Sequence, residues 1–509
     1  MSIRRSPAGA LYTAAWLAVM LAGIAGITPL RAAEPAAGGV VTLPSPRTPI
    51  VAVRLVFDAG SIDDPAGKEG LAALTARMIT KAGTEKHSFS QLVETLYPMA
   101  ASVDGEVDRE VTVFSGKVHR DHLAPYTDLL VEAVLEPAFT PGDFERNKEE
   151  TLAFLTTTLR SGSDELLGLE EIQDRIFAGH SYGHPPAGTV AGLKSITIED
   201  VKAFYKAHYT RARLLVGVAG GYPADYPAAL AKDLDALPAG TPGRAALPPA
   251  PAVEGRRFTL VDKRTASVGL HFGYPLPITR SDPDFYPLMV VDSYLGEHRT
   301  SHGKLMSELR EKRGLNYGDY SYIEHRANPP RTSTPVPGVP RREQYFSVWI
   351  RPVEPQNARF ALRAALYQVA ELREHGMTQA QFELTRDFVV NYAKLWGQTL
   401  QNRLGFLMDS RFYGTPSFLD EIQARVPKLT LDEVNRAAKK YLQTEDYQAV
   451  LVTDHAADLK AALEKDDPSP KTYNAKVDPD VLDTDKKFED LKIRPTSIEI
   501  VPVAEVFEK

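Results

Sequence analysis

The chain has 509 residues, with 59 Lys and Arg against 66 Asp and Glu, and no cysteine. A composition 25% charged and 43% apolar excludes a mostly disordered chain, and a net charge of −7 with a pI near 6.0 argues against a nucleic-acid polyanion as the main partner. Without Cys there is no disulfide, thiolate zinc site, thiol nucleophile, Fe–S cluster or Cys-linked lipid anchor, so any metal ligand must be His, Asp or Glu.

Residues 1–33 read as an export signal. Arg4 and Arg5 form a positive start and Ala8 to Ile27 a mostly apolar stretch; Pro29 breaks it before a small-residue cleavage site near Ala32 or Ala33. A retained membrane anchor competes, because the stretch is near the ~20 residues that span a bilayer. Dilution by Gly and Ala and the small-residue exit favour a cleaved signal peptide. Removing 1–33 takes away Arg4, Arg5 and Arg31 and no acid, moving the formal charge from −7 to −10. The body is then expected outside the cytoplasm, in the periplasm. It has no further run of the ~18 apolar residues that a span needs, so no membrane contact is expected after cleavage.

The first half, 34–236, opens with an alternating strand, Val51 to Gly60. A long helix starts at Phe144-Glu145. An amphipathic helix follows the N-cap Thr197, with the acid Glu199 two residues on, and Leu214 to Ala219 is a strand. Leu237 to Ala252 is rich in Pro, Ala and Gly and almost uncharged, which makes 237–256 an extended, semi-rigid linker. The second half, 257–465, repeats the order: a strand from Ser267 to Gly273, a long helix at Phe382-Glu383, the N-cap Thr430 with Asp432, and a strand from Ala449 to Val452. A tail, 466–509, begins polar and ends in the alternating stretch Ser497 to Val503, a short strand packing back on the body.

These landmarks describe a duplication. Val53, Leu55 and Phe57 match Val268, Leu270 and Phe272 at an offset of 215, Ile196 to Val201 matches Leu429 to Val434 at 233, and Phe144 matches Phe382 at 238. The growing offset calls for an insertion in the second half, and the Pro-rich stretch Ala327 to Pro340 reads as that insertion, a surface loop. Each half is an α+β domain of roughly 200 residues.

Gly60-Ser61, Gly67-Lys-Glu-Gly-Leu71, His180-Ser-Tyr-Gly-His-Pro185, Phe204-Tyr-Lys-Ala-His-Tyr209 and Leu309-Arg-Glu-Lys-Arg-Gly-Leu-Asn-Tyr317 together carry a resemblance. Over nearly the whole mature chain, the sequence resembles the pitrilysin/insulinase-type zinc metallopeptidases, in the short two-domain form related to mitochondrial processing peptidase. The resemblance implies two homologous domains, each a mainly antiparallel sheet packed with long helices, joined by the linker into one half of a clam-shell. It also implies His-x-x-Glu-His on the helix after the Gly-Leu pair. Two His on one helical face chelate zinc, the Glu polarises its water, and a distant Glu completes the site.

This chain departs from the family at that place. The first His position is Ala73, the Glu position Ala76 and the second His position Arg77. The third ligand position falls near Leu152 to Ala153, and Glu149 and Glu150 lie one turn early. No metal or cofactor is therefore expected in this chain. The second half offers no substitute, because the equivalent position is Leu288, in the core-facing stretch Leu288 to Asp292. His298 and His302 are four apart with no carboxylate between them and read as a solvated helix start or loop. Gly183, Pro185 and Pro186 forbid a helix through His180 and His184, and His119 and His122 read as exposed at a strand-to-helix junction. No serine-nucleophile motif or Gly-rich phosphate loop occurs.

The resemblance does carry over an arginine–tyrosine pair, Arg310 and Tyr317, at the family's spacing; Arg313 is out of register. In the family this pair faces the zinc from the opposite domain. The Tyr hydroxyl can donate to the oxyanion and the Arg can grip substrate carbonyls. The implied function is a non-catalytic, substrate-binding subunit of an exported zinc peptidase, inactive alone. It would pair as a heterodimer with a zinc-bearing paralogue around an unfolded peptide, with Arg310 and Tyr317 serving the partner's active site. The alternative is a proteolytically inactive structural or peptide-binding homologue with no role in hydrolysis, which predicts a homodimer. A metallopeptidase active on its own would require bound zinc.

Overall fold

The structure, a computed structural model, describes residues 39–509 apart from 245, 326, 327 and 329–331. The expected signal segment lies outside the described residues, as do several positions of the expected insertion.

The strands of the first half are β1 (Val40–Pro44), β2 (Ile50–Phe57), β3 (Asp104–Val107), β4 (Thr112–His119) and β5 (Leu214–Gly220). Its helices are α1 (Leu71–Thr80), α2 (Phe89–Leu96), α3 (Leu123–Leu135), α4 (Pro141–Ala153), α5 (Asp164–Ile176), α6 (Val190–Ser195), α7 (Ile198–His208) and α8 (Tyr226–Asp233). The second half has β6 (Arg256–Asp262), β7 (Val268–Leu276), β8 (Asp319–Tyr322), β9 (Gln344–Val353), β10 (Tyr447–Thr453) and β11 (Ser497–Pro502). Its helices are α9 (Phe285–Gly296), α10 (Ala358–His375), α11 (Gln379–Trp396), α12 (Leu400–Phe412), α13 (Phe418–Arg425), α14 (Leu431–Tyr441), α15 (Ala456–Lys465) and α16 (Pro479–Asp490).

The first sheet runs β1-β5-β2-β4-β3, antiparallel except for β1 with β5. The second runs β11-β6-β10-β7-β9-β8, antiparallel except where β6 meets β10 and β11. Reading β6, β10, β7, β9 and β8 for β1, β5, β2, β4 and β3 superposes the two orders. This is the α+β, two-domain, mainly antiparallel architecture that the sequence implied. Register refines the strand match. Val53 faces Val218 and Leu270 faces Leu451, so structurally Val53 corresponds to Leu270 rather than Val268. A two-residue slip keeps every side chain on its own face, which is why the hydrophobic pattern could not detect it.

The repeated helix starts have a common cause. Thr197 caps α7 with Asp200 closing the box, and Thr430 caps α14 with Glu433, each acid one residue beyond the Glu199 and Asp432 read from the sequence. Each box satisfies two otherwise unpaired backbone N–H groups.

The halves exchange helices. α5, from the first half, packs on β7 and β10 of the second sheet, and α12, from the second half, packs on β1, β2 and β5 of the first. Two glycines make the approach possible. A Cβ at Gly168 would meet the His271 ring at 2.6 Å, and one at Gly217 would meet the Met408 sulfur at 2.4 Å. As a result Val261, Val450 and Val452 of the second sheet are buried in the core of the first half.

The Pro-rich insertion is not a surface loop at its C-terminal end. Pro337, Gly338 and Pro340 are buried. The Gly338 N–H donates to the Asp409 carboxylate on α12, and Arg54 of β2 reaches the Pro337 carbonyl at 3.5 Å. The segment ends in Arg341, which holds Asp108 of the first half through two bonds of 2.6 and 2.7 Å. This end of the loop is lodged between two bodies while Ser333 stays exposed, and local composition does not reveal that. The linker is likewise pinned. The side chain of its Arg244 is buried against Asp58, Asp63 and Glu110.

The tail crosses both halves. After β11 joins β6, Val506 and Phe507 enter the first-half core. The Val190 and Ala191 N–H groups of α6 donate to the Phe507 and Glu508 carbonyls, and Arg160 donates to the Val506 carbonyl at 2.6 Å.

Candidate functional site

α1 is the helix on which the resemblance puts a zinc site. Gly70, at φ 105°, starts it, because a Cβ there would meet the Ala187 carbonyl at 2.8 Å. The Asp64 carboxylate accepts from the Gly70 and Ala72 N–H groups, both at 2.7 Å. The buried face of α1, led by Leu71, Leu74 and Met78, enters the core and turns Ala73, Ala76 and Arg77 toward a pocket of about 410 Å³. Val107 of β3, Phe154, Leu159 and Leu166 supply more of its wall.

Nothing in this pocket fits a zinc ion. Two of the three motif positions are methyl groups. The third, Arg77, is a permanent cation paired with Glu150 of α4. Glu150 reaches α1, therefore, but it neutralises an arginine there. Leu152 and Ala153 carry no ligand atoms. Among the described residues no cluster of three His, Asp or Glu side chains could hold a metal ion.

Behind the pocket lies a charged row that the sequence reading did not single out, Asp108-Arg109-Glu110. Between two short strands it looks like a hydrophilic turn, yet Arg109 is 1% exposed. Its guanidinium makes no hydrogen bond among the described residues and stands 3.7 Å from Asp174 and 3.9 Å from Glu170, both on α5. Burial lowers the affinity of Arg109 for its proton and pushes the Asp174 carboxyl well above its ordinary range. Burial alone would also raise Asp108, but Arg341 holds it below the usual carboxylate value. Glu110 accepts from the Arg342 N–H at 2.6 Å and from the Tyr182 hydroxyl. The row ties the first sheet to α5 and to the insertion.

In the second half, Arg310 lies on a π-helical turn, Met306–Glu311, and Tyr317 in the loop before β8. Arg310 is exposed and Tyr317 is 77% exposed. Neither side chain makes a hydrogen bond or ion pair among the described residues. The chain between them is fixed from below. The Leu315 N–H donates to the Leu309 carbonyl at 3.1 Å, and Gly314 takes φ 60° to turn the backbone. Arg313 faces inward. It pairs with Glu308 at 2.8 Å and Asp485 at 2.6 Å and lies over the Phe488 ring. Its neighbours Lys304 and Lys312 also hold Glu308, whose carboxyl sits at about 2 against the pull of burial.

The histidines carry one correction. His298 is buried rather than solvated: its ring nitrogens meet the Tyr322 hydroxyl at 2.7 Å and the Thr332 carbonyl at 3.1 Å. His302 is exposed. His180 and His184 lie in turns, and His119 and His122 lie between the end of β4 and the start of α3. Leu288 is in the core, as read, but Asp292 beside it is an acid enclosed with Ser321, and burial raises its carboxyl well above the ordinary value.

Comparison with known proteins agrees with this geometry. Residues 39–167 match the insulinase (peptidase family M16) profile and residues 195–388 the peptidase M16 inactive domain. An uncharacterized zinc protease of Streptomyces coelicolor is 23% identical over 79% of this chain and 84% of its own. The non-peptidase homolog YmxG of Helicobacter pylori is 24% identical over 81% of this chain and 90% of its own. The crystal structure of a peptidase M16 inactive domain from Pseudomonas fluorescens superposes with a TM-score of 0.72 at 22% identity, covering 82% of this chain and 96% of that one. A helix without zinc ligands, set in two duplicated α+β halves, accords with these matches: the chain belongs to the M16 family of pitrilysin/insulinase-type peptidases, as an inactive homologue.

Proposed function

We propose that this chain is the non-catalytic, peptide-binding subunit of an exported zinc peptidase, working against a zinc-bearing paralogue in a heterodimer. The observation that carries the reading is the pair Arg310 and Tyr317. Among the described residues neither the guanidinium nor the phenol has a hydrogen-bond or ion-pair partner, and both stand in solvent on a turn that Arg313 and Glu308 brace. Unpaired donors on a braced backbone are free to meet an oxyanion or a substrate carbonyl from outside. The first half supports peptide binding. β3 is an edge strand whose residues alternate between exposed and half-buried, so an extended peptide can add to it by backbone hydrogen bonds. Among the described residues no helix is long and apolar enough to cross a membrane.

The test is reconstitution. The chain alone hydrolyses no peptide. Mixed with its zinc-bearing paralogue, it supports turnover that falls about 10²-fold in Tyr317→Phe or Arg310→Ala, with the paralogue's zinc content unchanged. Full turnover in both variants would refute the role given to the pair and leave a purely structural homologue.

A further inference from the structure

We infer that the second half holds a site for a small alkylammonium ion, in a cavity enclosed by α9, the segment after β8, α11 and the Pro-rich insertion. This goes beyond the peptide-binding reading and does not depend on Arg310 or Tyr317.

The cavity is about 70 Å³. One water takes about 10–15 Å³ of such space, so it admits a group of about five heavy atoms. Asp292 of α9, Glu297 just after that helix and His325 between β8 and β9 all line it. The insertion forms its cover. Pro335 lines the cavity, the Ser333 carbonyl accepts from the Tyr392 hydroxyl at 2.8 Å, and the Thr332 carbonyl meets His298 Nε2 at 3.1 Å.

The two acids lack a cation. Among the described residues, the charges acting on Asp292 are those of two more acids, Glu297 and Glu324, and no Lys or Arg pairs with Asp292 or Glu297. Glu324 differs, since Arg280 holds it through bonds of 2.8 and 3.1 Å. The Ser321 hydroxyl donates to one Asp292 oxygen at 2.7 Å, which supplies a proton but no charge. Burial accordingly raises both carboxyls, that of Glu297 to about 7.

His325 adds an independent observation. The Gln344 amide nitrogen donates to the Arg341 carbonyl, which identifies its other atom, Oε1, as an acceptor. His325 Nδ1 lies 3.3 Å from that oxygen, so the ring proton sits on Nδ1 and Nε2 presents a lone pair. The residue is 4% exposed, and its Nε2 has no partner among the described residues. Burial, backed by the Arg341 charge, lowers its affinity for a second proton to about 3, so the ring stays neutral.

Two carboxylates and a lone pair are three acceptors, and a primary ammonium brings three donors, no acceptor and the missing charge. A quaternary ammonium has no N–H and would leave all three unmet. A metal ion does not fit, because among the described residues no cluster of three His, Asp or Glu side chains could hold one. Tyr392, Trp396 and Phe418 supply ring faces to the same cavity, which attract a cation and cover a short alkyl stem.

The probe is n-butylammonium chloride, titrated calorimetrically into the chain at fixed pH and ionic strength. Butan-1-ol, which keeps the stem without the charge, and tetramethylammonium, which keeps the charge without N–H donors, are the comparisons. Butylammonium is expected to bind about tenfold or more tightly than either. Asp292→Asn and Glu297→Gln remove one charge each at nearly constant shape, and either variant that keeps the wild-type melting temperature is expected to lose about tenfold in butylammonium affinity. An acetylated, amidated Gly-Lys-Gly peptide separates the two sources of the group. Binding as tight as butylammonium assigns the site to a lysine side chain, and no binding assigns it to a free amine. Absence of butylammonium binding, or equal binding of the three small probes, by the wild-type chain would overturn the inference even where the variants fail to fold. Unchanged affinity in both folded variants would also overturn it.

Discussion

Arg341→Met removes one partner of a buried bidentate pair and leaves the Asp108 carboxylate, 7% exposed, without its bidentate partner. The Gln173 side chain loses its 2.9 Å contact at the same time. Breaking a desolvated pair from one side costs about 3–5 kcal/mol, because the remaining charge keeps its desolvation penalty and loses its compensation. Asp108→Leu is expected to cost a similar amount by stranding the guanidinium. The double variant is expected to recover most of the loss, since two apolar groups of fitting volume owe no desolvation. Urea unfolding separates the outcomes. In the chain prepared without residues 1–33, which hold Trp16, the remaining Trp349 and Trp396 both belong to the second half, so their fluorescence follows that half, while far-ultraviolet circular dichroism follows the whole chain. In the wild type the two signals are expected to change together. In Arg341→Met the midpoint falls and the signals separate, because one of the contacts that couple the halves is gone. Single variants costing under about 1 kcal/mol, or a double variant costing the sum of the singles, would refute the reasoning.

Phe507→Ala removes a ring that is 5% exposed in the first-half core and is expected to destabilise the chain by about 3–5 kcal/mol, read as a lower calorimetric melting temperature; an unchanged melt would show that the tail does not help hold the fold. Asp319 gives a pH dependence. Burial raises its carboxyl from the ordinary 3.8 to about 8, opposed by the Asn316 hydrogen bond and by the Arg310 and Arg351 charges. A folded-state value above the unfolded one stabilises fully below pH 3.8, and that contribution drains away as pH rises through about 8. Asp319→Asn is therefore expected to flatten the fall in urea midpoint between pH 4 and pH 8, and an unaltered slope would contradict the assignment.

What the sequence disclosed and what it hid divide along contact range. Ala73, Ala76 and Arg77 are legible because a chelating motif is local: three positions on two turns of one helix decide it. The Thr197 and Thr430 caps are legible for the same reason, and with the alternating strands they expose the duplication. The exchange of α5 and α12 is not legible. It depends on Gly168 and Gly217 meeting His271 and Met408, partners more than 100 positions away in sequence. The burial of the Pro-rich insertion depends on Arg54 and Asp409, which its own composition cannot report. β3 escaped notice because Asp104-Gly-Glu-Val107 has weak strand propensity and is ordered by its pairing with β4. The direction of Arg310 and Arg313 likewise needed the structure: the core takes the second through Asp485, 172 positions away.

The exchanged helices also bear on how the chain comes to be folded at all. While the first half alone has been synthesised, α5 has no second sheet beneath it, and the outer faces of β1, β2 and β5 wait for α12. Val41, Ala52 and Ala219 acquire their cover from Leu404 and Met408 only when nearly four-fifths of the chain is present. A domain-by-domain order, with the N-terminal unit finished before the next emerges, is thus closed to this topology. The early half must pass its wait with apolar surface uncovered. Val506 and Phe507 likewise sit in a core begun some 450 positions earlier, so that core is complete only with residues from beyond the second sheet.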